Sequence, residues 1–415
     1  MKERTIAAVA WRNLWRNRRR TIITLSSIAF GILLSVLFTG LGDRTYGEMI
    51  DLAARMGGGH VTIQDKTYQD NPSLKKTVQN ISEKMAAAKK IDGVVTAVPR
   101  IAGYTMLATA RESLGAFFVG IDPAMEDKST FFALKAIESG TIFKKDDKDA
   151  MLLGKKLAEQ LDITLGSKVV YTLTDKNGEM VTGLGRVSGI IHTGSDAFDG
   201  GFCLLPIETV RKVLGYDKDE ATQAAIFVKD KRDVDRIAGA LQAELSGTDT
   251  AAPWYKTQPD LAGFISMKQS GAAFMEIIIM VLIAAGIFNT LFVSVMERMR
   301  EFGIMTAVGF APSQLFRMVM WESLWLSLVG LIVGAAVTAW PYRYLSTKGL
   351  DFSSMVGDRG TEVAGVVVEP IMRVGIFFEH GVIIAAAVVA ATLLSGLYPA
   401  WRAGRVAPVE SIKLV

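Results

Sequence analysis

The sequence predicts a membrane protein in which four transmembrane α-helices carry a large α+β extracytoplasmic domain, inserted between the first and second helices. Two observations support this fold class. Half of the 415 residues are hydrophobic, and the longest apolar stretches fall in four runs of 20 to 22 residues that contain no Asp, Glu, Lys, Arg or His. Between the first two runs, residues 43–270 mix charged residues with short strand and helix patterns.

The uncharged runs are long enough to cross a bilayer. About 20 residues at 1.5 Å each span a hydrocarbon core of roughly 30 Å, and helices satisfy their own backbone polar groups inside lipid. The first run follows a basic segment, as a secretory signal does, but its 22 residues are too long for a signal core. We therefore predict retained transmembrane helices at 21–42, 271–296, 318–342 and 381–401.

The distribution of Lys and Arg predicts the orientation. Seven basic residues and one acid, Glu3, precede the first span, which is typical of a cytoplasmic segment. Four spans then place both termini in the cytoplasm. The expected cytoplasmic parts are an amphipathic N-terminal helix at 1–20, a turn at 297–317 and a tail at 402–415. The expected extracytoplasmic parts are the domain at 43–270 and a loop at 343–380. The net charge of +4 reflects this orientation and indicates no nucleic-acid partner.

The inserted domain begins and ends with helical stalks. One stalk presents an apolar face of Tyr46, Met49, Ile50, Ala53 and Met56 and stops at three glycines, and the other presents Leu261, Phe264, Ile265 and Ala272. Strand patterns lie between them, including a hairpin that turns at Asn177 and Gly178. Residues 150–161 and 205–214 have helix-like patterns, and a strand from 222 runs into an amphipathic helix. This mixture predicts an α+β domain.

The histidines form no catalytic constellation in the sequence. His60, His192 and His380 are scattered, and none has a second histidine at the spacing of metal ligands. Ser195 and Asp196 follow His192, but adjacent residues rarely face one another as a triad requires, and no nucleophile elbow precedes them. We expect no metal site and no hydrolase, and the chain is predicted to be a non-catalytic membrane subunit.

The cysteine content and the lack of a phosphate-binding loop narrow the range of possible functions. Cys203 is the single cysteine, so an intrachain disulfide is excluded, and a small core residue is the expected role. The sequence contains no GxxxxGK[ST] loop to hold nucleotide phosphates. If the chain moves a substrate, we expect the energy to come from a partner.

Three motifs resemble those of the MacB/FtsX-like ABC transporter permease family. They are "AWRNLWRNRRRTIITL" before the first span, "ERMREFGIMTAVGFAPSQLFRMVMWESL" between the second and third spans, and "LSGLYPAWRAGRVAPVESIKL" at the C-terminal end. The layout is similar to that of lipoprotein-releasing (LolC/LolE-type) permeases. Phe302 stands where the family more often has Ile. The resemblance covers the membrane part, while the inserted domain matches in layout.

The resemblance implies that the turn at 297–317 is a coupling helix that docks on a separate ABC ATPase. ATP and Mg would then reside in the partner, and this chain would hold no cofactor. The residues assigned to this coupling are Arg298, Arg300, Glu301, Phe302, Gly303, Ile304, Met305, Val308, Gly309 and Pro312. Phe310 is a further candidate for an apolar anchor. An ordinary interfacial turn with snorkelling charges is the alternative.

The resemblance also implies a mechanotransmission dimer, formed with a second copy or a paralogue in the bacterial inner membrane. It would extract or export a lipoprotein or another amphiphile at the outer leaflet. The candidate substrate cleft comprises Leu37, Phe38, Leu41, Phe264, Met267, Phe274 and Ile278. Glu276 and Glu322 are charges at the edges of spans, where ionisable groups are expensive. Membrane lipids are expected partners, together with a lipoprotein or a periplasmic adaptor.

Two rival functions remain. One is a MacB-type efflux permease for antibiotics or peptides. Such a permease would usually have its ATPase fused to it, whereas this sequence starts 20 residues before its first span. This contrast disfavours the efflux function without excluding it. The other is an FtsX-type regulator of a cell-wall hydrolase, which tends to have a smaller outer domain.

Overall fold

The computed structural model describes residues 3–144, 147–356, 361–363, 366–368 and 370–406. The helices are α1 (Glu3–Leu14), α2 (Arg18–Met56), α3 (Ile81–Lys90), α4 (Lys155–Gln160), α5 (Asp196–Gly201), α6 (Ile207–Leu214), α7 (Val234–Glu244), α8 (Trp254–Thr257), α9 (Pro259–Glu297), α10 (Met299–Ala307), α11 (Pro312–Thr347), α12 (Ser353–Val356) and α13 (Phe378–Gly404). The strands are β1 (Val61–Asp65), β2 (Val94–Ala108), β3 (Ser113–Ile121), β4 (Ile137–Gly140), β5 (Ala150–Gly154), β6 (Lys168–Thr174), β7 (Met180–Ile191), β8 (Phe202–Pro206), β9 (Gln223–Val228), β10 (Asp249–Pro253), β11 (Leu350–Asp351), β12 (Thr361–Val363), β13 (Val366–Val368) and β14 (Ile371–Met372).

The chain divides into two compact units. The membrane unit comprises Met1–Thr45, Ser266–Asp351 and Ile371–Val415, and the α+β unit comprises Tyr46–Ile265 and Phe352–Pro370. The division falls inside α2 and α9, each of which contributes to both units. Of the predicted tail at 402–415, residues 407–415 lie outside the described residues, as do 357–360, 364–365 and 369 of the predicted loop at 343–380.

Four helices of the described chain are long and apolar enough to span a membrane: α2, α9, α11 and α13. Each contains one of the predicted spans. The helices α2 and α9 have 39 residues each, about 58 Å at 1.5 Å per residue, whereas a hydrocarbon core is roughly 30 Å thick. The predicted fold class, four apolar helices with an α+β domain inserted after the first, is confirmed.

The membrane unit is packed around α11. Gly330 and Gly334 of α11 lie against Ile28 and Ile32 of α2, and a Cβ atom at either glycine would collide with the facing isoleucine. Small residues at such positions let spanning helices approach closely, which is how helices gain van der Waals contact inside lipid. On another part of α11, the indole of Trp325 donates a hydrogen bond to the carbonyl of Ala7 in α1 (3.1 Å).

The α+β unit is organised around one sheet of ten strands. The main order is β10–β1–β9–β2–β3–β8–β5–β7–β4, and β6 pairs with both β2 and β7. Most neighbours are antiparallel, while β3–β8 and β5–β7 are parallel. The predicted hairpin is present as β6 and β7, with Gly178 at a φ of +93° in its turn. A large apolar core and a smaller one pack against this sheet.

Two of the helix-like segments proved to be partly strands. In the segment 150–161, Ala150–Gly154 forms β5, and in 205–214 the first two residues close β8. The apolar run of β5 lies inside the sheet, where Met151, Leu152 and Leu153 are all fully buried. A strand buried on both faces has a continuous apolar pattern, which periodicity cannot distinguish from a buried helix. The sequence patterns also did not predict the helix α3.

All but one of the predicted stalk residues pack together in the α+β unit, and the exception, Ala272, lies in the membrane unit. Met49 and Ala53 of α2 form a buried cluster with Leu261 and Ile265 of α9. The first stalk ends at Met56, where the glycines begin, because Gly59 adopts a φ of +85° and lies against the backbone of β9. A left-handed backbone of this kind favours glycine.

A buried arginine holds the end of α2 within the α+β unit. Arg100 is fully buried and binds both carboxylate oxygens of Glu126, at 2.7 and 3.1 Å. It also donates to the carbonyls of Gly57 and Thr130, and its guanidinium lies 4.7 Å from the ring centre of Phe131. Because these acceptors surround the guanidinium, the cost of burying the charge is offset.

We predict that Arg100→Met destabilises the full-length protein by about 3 to 5 kcal/mol, because it leaves the Glu126 carboxylate buried without its partner. Equilibrium urea unfolding in detergent measures this change. Arg111→Met is the matched control, since its pair with Asp162 is exposed and such pairs contribute little. Equal effects of the two substitutions would contradict the prediction.

Candidate functional site: the turn between α9 and α11

The turn between α9 and α11 is a short helix with sharp ends. α9 ends at Glu297 and α10 follows almost at once, at Met299. Gly309 then adopts a φ of +103°, which reverses the chain with little steric cost. Pro312 occupies the first position of α11, where its missing N–H leaves no helical hydrogen bond unmade.

One face of α10 is part of the core of the membrane unit. Phe302 is fully buried among Leu315, Met318 and Val319 of α11, together with residues of α1 and α13. Gly303 beside it is also buried. Met305 and Phe310 are partly buried and pack against the same cluster. This face therefore holds α10 against the spanning helices.

A buried ion pair joins the start of the turn to α11. Arg298 is only 8% exposed, and its Nη1 donates to both carboxylate oxygens of Glu322, at 2.8 and 3.1 Å. Its Nε donates to Glu301 (3.3 Å), and its guanidinium lies 5.1 Å from the ring centre of Phe302. Because all these partners belong to the turn and α11, Arg298 fixes their relative position.

Two arginines of the N-terminal segment complete the network. Arg16 donates to both oxygens of Glu301, at 2.7 and 2.8 Å, and Arg20 pairs with Glu297. Burial raises the pKa of Glu301, but hydrogen bonds and positive charge from Arg16 and Arg298 outweigh that effect and leave the pKa below its usual value. Glu301 is therefore ionised at neutral pH and links the N-terminal segment to the turn.

The other face of α10 is exposed in this chain. It consists of Arg300 and Ile304 together with Val308, the residue that follows the last residue of α10, and we call these three residues the outer face. Ile304 is 51% exposed and Val308 is 76% exposed, and Arg300 is exposed as well. These residues are four apart, so they lie along one side of the helix. Two exposed branched apolar side chains therefore lie beside a charge on this side of the turn.

The residues predicted to couple to an ATPase thus separate into two groups. Arg298, Phe302 and Gly303 are buried inside the chain, and Glu301 is engaged with arginines. Arg300, Ile304 and Val308 remain on the surface, as do Gly309 and Pro312. The contact role predicted for the whole set stays a prediction.

The candidate cleft residues are divided between the units. Phe264 packs in the stalk cluster of the α+β unit. In the membrane unit, Phe38, Met267, Phe274 and Ile278 are exposed, with Met267 at 62% and Phe274 at 65%. The remaining two, Leu37 and Leu41, are partly buried.

The two predicted edge charges differ in their surroundings. Glu322 is paired with Arg298, as described above. Both carboxylate oxygens of Glu276 are buried, and neither has a hydrogen-bond partner among the described residues. A buried carboxylate without a partner is costly, which distinguishes Glu276 from the other acids of the spanning helices.

Each histidine contacts an aspartate. His60 contacts Asp51 at 3.0 Å, His192 contacts Asp199 at 2.8 Å, and His380 contacts Asp43 at 2.8 Å. Within the described residues no group of three His, Cys, Asp or Glu side chains is arranged to hold a metal ion.

The polar residues that follow His192 have structural roles. Ser195 caps α5, accepting a hydrogen bond from the backbone N–H of Phe198 (3.1 Å). Asp196 pairs with Lys156. Cys203 is fully buried in β8, and this burial raises the pKa of its thiol.

The ion-pair network also includes Arg16, Arg20 and Glu297. In the sequence, the two arginines indicated only the orientation, and Glu297 was assigned no role. A signal for their pairing exists in the sequence. The two arginines are four residues apart, and so are Glu297 and Glu301, so complementary charges recur at the same spacing. Which segments meet is decided by packing and cannot be read from the spacing alone.

Four helices long and apolar enough to cross a membrane indicate a multi-pass membrane protein. Comparison with known families is more specific. The family model described as MacB-like periplasmic core domain matches residues 21–244, more than half of the chain, and the model described as FtsX-like permease C-terminal matches residues 273–408. The chain belongs to the MacB/FtsX-like family of ABC transporter permeases, which confirms the resemblance inferred from its motifs.

Two curated proteins and one solved structure are similar to parts or all of the chain. The lipoprotein-releasing system transmembrane protein LolC of Xylella fastidiosa (strain Temecula1) is 24% identical over 98% of both chains. The macrolide export ATP-binding/permease protein MacB of Nitrobacter winogradskyi is 23% identical over 95% of this chain and 58% of its own length. The periplasmic region of MacB from Actinobacillus actinomycetemcomitans matches with a TM-score of 0.35 and 14% identity, over 50% of this chain and 94% of that one.

We predict that Glu322→Gln lowers the free energy of unfolding of the protein by about 3 kcal/mol, because the Arg298 charge stays buried without a full counter-charge. Unfolding by titration with sodium dodecyl sulfate measures the change. Glu297→Gln is the matched control, since the Glu297 side chain is 56% exposed and an ion pair with a solvent-exposed partner is worth at most about 1 kcal/mol. A loss for Glu297→Gln as large as that for Glu322→Gln would refute the structural role of the buried pair.

Proposed function

We propose that this chain is the non-catalytic membrane subunit of an ABC transporter and that a separate ATPase docks on the outer face of α10. The observation that carries the proposal is the two-sided character of α10. Phe302 fixes one side in the core, while Ile304 and Val308 are exposed on the other. A helix with apolar anchors at this spacing suits insertion into a groove of a partner.

The ion-pair network supports a mechanical role for the turn. Arg298 connects α10 to α11, and Arg16 connects it to the segment that precedes α2. A displacement of α10 by the ATPase would therefore be passed to several spanning helices rather than absorbed by a flexible loop. We propose mechanotransmission on this basis: the partner hydrolyses ATP with its Mg, and this chain converts the movement into work on a substrate.

The proposed topology follows from the positive charges. The arginines before α2 and those of the turn lie on the side that the positive-inside rule assigns to the cytoplasm. The termini, α1 and α10 would then be cytoplasmic and the α+β unit periplasmic, in a bacterial inner membrane. The boundaries of the spans, the cytoplasmic parts and the extracytoplasmic parts that the sequence predicts are part of this proposed topology.

The proposed cargo is a lipoprotein or another amphiphile taken from the outer leaflet. Support comes from the relative named as a lipoprotein-releasing system protein, which aligns over 98% of both chains, and from the exposed apolar residues Phe38, Met267 and Phe274. We propose that such residues line an acyl-chain cleft in a dimer with a second copy or a paralogue. Burial of each CH₂ group stabilises a bound chain by about 0.8 kcal/mol.

Efflux of antibiotics or peptides through a periplasmic adaptor is the second candidate, because a relative named as a macrolide export protein aligns with 95% of this chain. Regulation of a wall hydrolase is the third. The identity of the periplasmic partner distinguishes the three functions.

The proposal predicts that the tagged chain, purified from its native membranes, carries a small ATPase, and that Val308→Glu reduces the amount recovered at least tenfold. A charge at the centre of an apolar anchor removes the favourable burial and adds a desolvation cost. Mass spectrometry of the purified material, with and without an ATP analogue, identifies the ATPase and any lipoprotein, adaptor or hydrolase.

Val95→Glu is the control for that experiment, because Val95 is 65% exposed and belongs to the α+β unit. We expect it to leave ATPase recovery unchanged. Absence of any ATPase from the wild-type purification would defeat the docking proposal, and recovery of an adaptor or a hydrolase in place of a lipoprotein would select one of the other functions.

A second prediction concerns coupling. Glu301→Lys should leave membrane insertion intact but uncouple ATP hydrolysis from transport, because a lysine there would face Arg16 and Arg298 and repel both. ATP hydrolysis by the complex in liposomes, with and without the co-purified substrate, measures coupling. Glu244→Lys, an exposed charge reversal in the α+β unit, is the control. If substrate still stimulates hydrolysis in Glu301→Lys as in the wild type, the turn does not transmit the signal.

A further inference from the structure

A cavity of about 400 Å³ lies in the membrane unit, between α2, α11 and α13. It is separate from the candidate substrate cleft, because none of the seven cleft residues lines it. Each of the three helices contributes to its wall, through Ile32, Val36, Ala335, Ala339, Gly381 and Ala385.

Small side chains make room for this cavity. Ala335 and Ala339 are four residues apart on α11, and Gly381 and Ala385 are four apart on α13, so each pair lies along one side of its helix. Small residues at this spacing usually bring spanning helices into close contact. Here the space beside them stays open to a volume that suits a small-molecule ligand.

The wall of the cavity offers nothing to a polar ligand. Among the described residues that line it, none is charged. The Tyr342 hydroxyl accepts a hydrogen bond from the backbone N–H of Ile376 (3.3 Å), and the hydroxyl oxygen of Thr338 is buried in the protein. A water molecule needs roughly two to four polar partners, whereas apolar cavities stay dry and take up hydrocarbon-like guests. The cavity therefore suits hydrocarbon.

The cavity follows α11 over the depth of one leaflet of a bilayer. Its lining on α11 extends from Leu331 to Tyr342, which is roughly 16 Å at 1.5 Å per residue. A hydrocarbon core is roughly 30 Å thick, so the chains of one leaflet occupy about half of that depth. These residues form the second half of the predicted span at 318–342. The length of the cavity thus matches a lipid chain that extends from the membrane surface to the midplane.

The end of the cavity near the start of α13 is held in place by hydrogen bonds. The backbone N–H of Gly375 donates to the carbonyl of Gly40 in α2 (2.9 Å), and that of Phe377 donates to the carboxylate of Asp43 (3.0 Å). Ile376, between these two anchored residues, lines the cavity. The cavity is therefore formed before a ligand arrives, as is usual for ligand sites.

We infer that this cavity binds one acyl chain, which lies along α11 with its polar end toward the start of α13. A phospholipid of the surrounding leaflet is one source of the chain. An acylated cargo is the other, and that source rests on the proposed function. The chain would contact α2, α11 and α13 together and so stabilise their packing.

The test uses the purified full-length chain in dodecyl maltoside, without any ATPase. The protein is titrated with a phosphatidylcholine that carries a photoreactive diazirine in an acyl chain, and mass spectrometry identifies the labelled residues after irradiation. We expect saturable labelling of residues 331–342 and 381–385. Unlabelled dioleoylphosphatidylcholine should compete, whereas glycerophosphocholine, which has the same head group and no acyl chains, should not.

Ala335→Phe and Ala336→Phe are the paired variants. They add the same ring to neighbouring exposed alanines of α11, but only Ala335 lines the cavity. The ring would occupy the space of the chain, so Ala335→Phe should lower labelling of residues 381–385 about tenfold, and Ala336→Phe should leave it unchanged. Ala339→Leu fills the cavity with a smaller side chain and should act in the same direction. Unchanged labelling near Phe274, which is exposed on α9, shows that each variant is folded.

Competition by a triacylated lipopeptide distinguishes the two sources. Displacement of the photoreactive lipid at a lower concentration than dioleoylphosphatidylcholine requires would assign the cavity to an acylated cargo. Equal or weaker displacement would assign it to a phospholipid.

Equal effects of the two phenylalanine variants would show general contact with lipid rather than a site and would overturn the inference. So would labelling that does not saturate or that is spread evenly over the exposed faces of the spans. Because the measurement needs no ATPase and no transport, a failed docking proposal would leave its outcome readable.

Discussion

The ion pair between Arg298 and Glu322 is the interaction on which the arrangement of the turn depends. Both side chains are buried, and a buried charge is stable only when its partner is held in place. The pair fixes the end of α9 against α11, and α10 can then place Phe302 in the core between them. That burial leaves Ile304 and Val308 on the opposite side, so the exposure of the outer face follows from the pairing beneath it.

The α+β unit contains a similar buried pair of arginine and glutamate at the end of a long helix. Arg298 follows the end of α9, and Arg100 donates to the carbonyl of Gly57, which follows the end of α2. Each arginine binds a buried glutamate and lies over a phenylalanine ring. The two longest helices thus each end at a rigid, charge-paired junction. Helix ends that could otherwise fray are fixed there, which is consistent with the proposed transmission of movement through these helices.

The charged residues of the turn differ in their surroundings. Glu301 is held by two arginines and links segments of this chain, whereas Arg300 remains on the outer face.

The sequence by itself determined the four spans, the insertion of an α+β domain, the stalk faces and the family, because hydropathy, period and motif are local properties of the chain. It predicted which segment forms the turn, but it did not separate the buried Arg298 and Phe302 from the exposed Ile304 and Val308. It also mistook the start of 150–161 for helix and did not pair Arg16 with Glu301. Only the tertiary structure decided these points, because the burial of a side chain and the partner of a charge depend on segments as much as 285 residues apart along the chain.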